Sequence, residues 1–208
     1  MIRSAFLDAA AITSTLLREP GLAERWSAPS ALPDLSTGGL ARHLANQVIA
    51  TLPRLATPPG DTAIPLLEHY TGNAWVTSGI DGGDNVTIRR RSEELASATT
   101  PAALADEVDA ALADLRSTVP AQAPERVVDL GDYGLRIDDF LLTRVMELVV
   151  HADDLAVSLG VPTPAMPQDA TTATIHLLSS IAAWRHGPLD VIRALSRRER
   201  APSSIAAL

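Results

Sequence analysis

Apolar residues recur at helical spacing along most of the chain, with polar residues between them and proline or glycine at the breaks. Phe6, Ala9, Ala10, Leu16 and Leu17 line one side of residues 4–18, which predicts an amphipathic first helix stopped by Pro20-Gly21. Trp26, Pro29 and Pro33 then mark an extended connection. Ser36 or Thr37 can cap a second helix reaching about Leu55, with Leu40, Leu44, Val48 and Leu52 on its buried face. The run Thr57-Pro58-Pro59-Gly60-Asp61 is a loop by composition. Helical spacing resumes over 62–79 with Leu66, Leu67, Tyr70 and Trp75, and Asp81-Gly82-Gly83-Asp84 closes it as a turn.

Two more helices are predicted over 86–97 and 101–118, the second opening on Thr100-Pro101, a capping residue followed by a first-turn proline. Leu104, Val108, Leu112 and Leu115 face its core side. Between Pro124 and Asp138 the pattern changes to Val127, Val128, Leu130, Gly131, Gly134, Leu135 and Ile137, a short hairpin or an irregular crossover. Asp138 is expected to cap a long helix to Leu159, stopped by Gly160 and Pro162. A helix over 169–185, a break at Arg185-His186-Gly187-Pro188 and a short helix through Leu195 complete the chain. The expected architecture is all-α in the main: a four-helix bundle with long crossover connections and a few short extra helices or strands.

Composition sharpens this picture. The 208 residues suffice for a substantial core, and 46% hydrophobic with 20% charged residues is ordinary for a folded chain. Aromatics are only 3%, so Leu, Val, Ile and Ala must build the core, which favours close-packed helices. A net charge of −8 argues against a nucleic-acid partner, since phosphate binding needs clustered cations. The runs Arg89-Arg90-Arg91 and Arg197, Arg198, Arg200 read as solvated faces. All 17 basic residues are Arg, a bias typical of GC-rich genomes. There is no Cys, which excludes disulfides, thiolate ligands and a cysteine nucleophile, so any thiol chemistry needs an external thiol. Asp8 interrupts the apolar N-terminal stretch, and no uncharged run reaches the ~20 residues of a bilayer span. A cytoplasmic protein with no membrane partner is expected.

The helix from 138 to 159 is apolar almost all round, as a buried helix is, yet Arg144, Glu147, His151, Asp154 and Ser158 form a polar stripe along it. Glu147 and His151 are four apart, one turn above the other, and can close on a single ion. His43, beside Leu40 and Leu44 on the second helix, is the best third ligand. One carboxylate and two imidazoles leave an open position on a metal such as Zn²⁺, the pattern of catalytic sites. Spacing alone favours a plainer arrangement: Arg144 and Glu147 as an ion pair, with His43 and His151 satisfied within the core. Arg144 is expected to pair with Glu147 rather than anchor a substrate carboxylate. Asp154 is expected at the surface rather than orienting His151. His69, His176 and His186 have no partner at ligand spacing and default to structural or exposed histidines.

Three segments shift that balance. "LLTRVMELVVHADDLAVSLG" at 141–160 resembles the helix of mycothiol-dependent maleylpyruvate isomerases in which an Arg, a Glu and a His precede an acidic pair and Leu. "LSTGGLARHLAN" at 35–46, downstream of Trp26, is similar to the helix carrying that family's first histidine ligand. "WRHGPLDVIRALSRRER" at 184–200 is similar to a family ending with Arg and Gly before an Ala-Leu helix. The resemblance implies a DinB-like four-helix bundle, with His43, Glu147 and His151 as ligands of a divalent metal, Zn²⁺ first among them. It further implies mycothiol as thiol cosubstrate and a small electrophile as the other partner. The catalytic residues are unassigned, with Arg144 and Asp154 as candidates for supporting the ligands. Little chain follows the third segment, so residues 1–208 are expected to form a single domain of the isomerases' N-terminal type without their additional C-terminal domain. The expected activity is isomerisation or S-transfer on a small electrophile; the alternatives are a non-catalytic metal- or ligand-binding protein and a purely structural helical domain.

Overall fold

The computed structural model describes residues 1–208 apart from 74, 75, 77, 79 and 80, so the expectation for Trp75 lies outside the described residues. Four long helices make the bundle: α1 (Ile2–Leu16), α3 (Thr37–Ile49), α7 (Pro101–Ala121) and α8 (Ile137–Leu159). Each packs on two of the others, α1 on α8 and α7, and α3 on α8 and α7, so their apolar faces meet in one shared core. Phe6, Leu40, Leu44, Leu104, Leu115 and Leu141 are among its fully buried side chains. Shorter helices fill the connections: α2 (Pro20–Arg25), α4 (Thr51–Ala56), α5 (Leu66–Thr71) and α6 (Gly83–Ser97). Beyond the bundle, α9 (Gln168–His186) packs on α8, and α10 (Pro188–Ser196) on α9. Among the described residues no helix is long and apolar enough to cross a membrane.

Several boundaries depart from the sequence expectation for identifiable reasons. Pro20 does not only stop α1; it occupies the first turn of α2, where its missing N–H costs nothing. The helix expected to run to Leu55 is broken at Ala50, because Pro53 cannot donate to the carbonyl of Ile49 and its ring crowds that turn. The expected helix over 62–79 shrinks to α5. Pro65 holds the residue before it out of helical geometry, and residues 60–64 instead run alongside the hairpin of β1 (Val127–Asp129) and β2 (Gly134–Arg136). Ile64 donates to the Gly134 carbonyl (3.0 Å) and Gly134 to that of Thr62 (3.0 Å). Gly134 is required there: a Cβ would stand 2.9 Å from the Val128 carbonyl and 3.2 Å from that of Thr62. Asp138 is not the cap of α8. The helix starts one residue earlier, with Arg136 as N-cap, and Asp138 sits in the first turn, ion-paired to Arg3 at 2.8 Å. Gly160 ends α8 at φ 71°, a left-handed conformation glycine adopts without strain.

Candidate metal centre

Helix α3 is set in place by its first turn. Ser36 accepts a hydrogen bond from the Gly39 amide at 3.0 Å, and the Glu93 carboxylate of α6 accepts from the Ser36 amide and hydroxyl. Thr37, the other candidate cap, is buried and donates to the Ala28 carbonyl (3.2 Å). Leu40, Ala41, Leu44 and Ala45 are buried on the core side, and His43 and Gln47 follow one another by a turn on the side toward α8. On α8, burial of Met146, Leu148 and Ala152 fixes the rotation that brings Glu147 and His151 toward α3.

The three residues therefore converge. His43 Nε2 and His151 Nε2 each lie 3.1 Å from the same carboxylate oxygen, Oε2 of Glu147. The two imidazoles meet edge to face with centroids 4.8 Å apart. One ligand-type atom from each residue falls within 4.8 Å of the others. The side chains are 21%, 16% and 18% exposed for His43, Glu147 and His151, so the cluster is mostly desolvated yet reachable from solvent. Burial by itself would push the Glu147 carboxyl up; hydrogen bonds from His151 and His43 outweigh it and hold the group well below the usual carboxylate range. Burial likewise works against charge on His151, but Asp154 and Glu147 on either side raise it to about 9.

Asp154 is not a free surface group. Its Oδ2 accepts from His151 Nδ1 at 2.9 Å, which turns Nε2 toward Glu147 and fixes the ring. Nor does Arg144 pair with Glu147: among the described residues no ion pair includes Arg144, because the Glu147 carboxylate is taken by the two histidines. Arg144 instead donates from Nη1 to the Gln47 side-chain carbonyl (2.6 Å) and from Nε to Thr143 Oγ1 (3.0 Å), with its guanidinium 5.6 Å over the Phe140 ring. Gln47 also donates to the His43 carbonyl (3.0 Å), so it links the arginine to the helix turn that carries His43. Its i+4 spacing from His43 was a signal that the sequence pattern contained.

No such signal marked His69. Its Nδ1 lies 2.8 Å from the Tyr133 hydroxyl at the hairpin turn, and Asn73 donates to that hydroxyl at 3.0 Å and to the His69 carbonyl. Burial first, then the charge of Arg144, lowers the His69 imidazole to about 4, against a smaller opposing pull from Glu147. Tyr70, buried beside it, is pushed well up by burial and by Glu147. His69 thus belongs to the surroundings of Glu147 and Arg144, not to a remote structural position. His176 is exposed, and His186 meets the Ala206 carbonyl at 2.7 Å.

Residues 6–156, which take in α1, α3, α7 and α8 up to its last turn with both histidines and Glu147, match the family model of the mycothiol maleylpyruvate isomerase N-terminal domain. The chain belongs to that family. The mycothiol maleylpyruvate isomerase N-terminal domain is part of the DinB-like superfamily, and the mainly helical bundle described above is its fold. No curated protein and no solved structure matches the chain. The family match ends within α8, so α9, α10 and the residues after them lie beyond it.

Proposed function

We propose that this protein is a metal-dependent enzyme in which His43, Glu147 and His151 hold one divalent ion, Zn²⁺ by preference, and an external low-molecular-weight thiol reacts with a small electrophile. The observation that carries the proposal is the convergence of two imidazoles and one carboxylate, from two helices, on a common point. The donor set fits the ion. Two neutral nitrogens and one oxygen are characteristic of zinc sites that keep a position open for a ligand, and a histidine braced by a carboxylate is characteristic of their surroundings. When bound, the ion would supply the Lewis acidity that brings a thiol to its thiolate form near neutral pH.

The chain's own residues do the rest. Asp154 keeps the His151 proton on Nδ1, so that Nε2 presents its lone pair once deprotonated. Glu147 stays ionised under all ordinary conditions, which retains negative charge at the ligand position. Gln47 and Arg144 hold the turn carrying His43 against α8. With no Cys anywhere in the chain, the sulfur nucleophile must come from outside, and membership of a mycothiol-named family supports mycothiol as that thiol. Addition followed by rotation and elimination gives an isomerase; displacement alone gives an S-transferase.

Cobalt substitution tests this directly. Mycothiol added to the Co²⁺-loaded protein is expected to produce a thiolate-to-cobalt charge-transfer band, which Glu147→Gln abolishes. Cobalt binding with no such band under saturating thiol would leave a non-catalytic metal-binding protein of the same fold.

A further inference from the structure

Arg144 presents an unsolved charge problem. A partly buried guanidinium normally meets a carboxylate, because removing a cation from water without a counter-charge is costly. Here Nη1 and Nε are spent on the neutral Gln47 and Thr143 oxygens, and among the described residues no acid lies within ion-pair distance. Stacking over Phe140 fixes the plane of the group rather than neutralising it. A divalent ion held by His43, Glu147 and His151 would worsen the imbalance, since Glu147 and Asp154 together only cancel the ion and leave Arg144 over.

His69 supplies a second donor next to this charge. The Tyr133 hydroxyl already accepts from Asn73, and among the described residues the acceptor available for its own proton is His69 Nδ1. The hydrogen-bond network therefore assigns the imidazole proton to Nε2, which has no partner among the described residues. The ring is neutral at pH 7, by burial and by Arg144, so it can act as a hydrogen-bond donor without competing with Arg144 as a cation. The backbone pairing of residues 62–64 with Gly134 holds the two halves of this arrangement, α5 and the hairpin turn, together.

We propose that the Arg144 guanidinium and the His69 Nε2–H form a carboxylate-binding subsite beside His43, Glu147 and His151, and that the carboxylate belongs to the electrophilic substrate. A planar anion is the ligand that answers both an unpaired guanidinium and a neutral N–H donor. The subsite's use in turnover rests on the function proposed above; its ability to bind a carboxylate does not. Tyr133 and Asn73 are positioning residues that act through the His69 tautomer.

The test is a titration of ¹⁵N-labelled, metal-free protein with acetate, against chloride at matched ionic strength, following the His69 ring nitrogens and the Arg144 Nε–H by NMR. Before acetate, Nε2 should carry the proton and Nδ1 should be bare. Acetate should move both reporters along one saturable curve, and chloride should not. Arg144→Gln should weaken acetate binding by about tenfold or more, the loss of one charge-assisted contact. Tyr133→Phe, checked for retained helicity, should keep the Arg144 response but mix the His69 tautomers and weaken binding. A chloride-like response, equal binding in Arg144→Gln, or a resting Nδ1–H tautomer would overturn the subsite. In the zinc-loaded protein, acetate and 2-mercaptoethanol should bind together; mutual exclusion would overturn the assignment to the electrophile. A protein that takes no zinc but still binds acetate would sink the metal reading alone.

Discussion

At the scale of single residues, the centre is governed by who holds which proton. In the metal-free protein His151 is raised from its ordinary 6.5 to about 9. The imidazolium is thus favoured by the fold, and this contribution to stability is complete below pH 6.5 and disappears as pH rises through about 9. Glu147 acts in the opposite sense: held well below its ordinary 4.5, it contributes above that pH and its contribution is lost as acid protonates it. Metal-free protein should accordingly lose denaturant stability between about pH 6.5 and 9, and His151→Gln should flatten that slope. A ligand nitrogen must shed its proton, so zinc affinity measured by chelator competition should rise about tenfold per pH unit between pH 6 and 8. Affinity that does not change with pH would show that His151 is no ligand. Asp154→Asn should cost about 10- to 100-fold in zinc affinity with the helices unchanged, since it removes the acceptor that orients His151.

At the scale of elements, the long helices were legible and their contacts were not. The run from Phe140 to Val157 marks a buried helix whatever its partners, and the polar stripe through Glu147 and His151 follows from the 3.6-residue repeat. That repeat also placed His43 on the correct side of α3, because Leu40 and Leu44 flank it. What spacing could not supply was the choice among partners. Arg144 and Glu147 stand at ion-pair spacing, but two histidines claim the carboxylate and a glutamine from another helix claims the arginine. His69 and Tyr133 are 64 apart in sequence, and the chain brings them together through pairing of residues 62–64 with the hairpin, which helical periodicity does not report. Gly134→Ala probes that pairing: its Cβ would collide with Val128 and Thr62 backbone oxygens. The expected cost is about 1–3 kcal/mol in chemical denaturation, with His69 losing its single tautomer in the NMR spectrum. Unchanged stability and an unchanged tautomer would show that the strand-like contact does not position α5.

At the scale of the whole molecule, the bundle explains why a site of this kind lies where α3 and α8 face each other. Apolar packing of α1, α3, α7 and α8 fixes the helix rotations, and the few polar side chains left between them are held close without further cost in chain ordering. The family match spans the four bundle helices up to the last turn of α8, while α9 and α10 add a layer outside it. The central claim is that His43, Glu147 and His151 are one metal site, and metal content tests it most directly. Purified wild-type protein should carry about one divalent ion per chain by mass spectrometry after incubation with Zn²⁺, and His43→Ala and His151→Ala, with helicity retained, should each carry far less. Wild-type protein that stays metal-free, or variants that keep the full complement, would contradict the account.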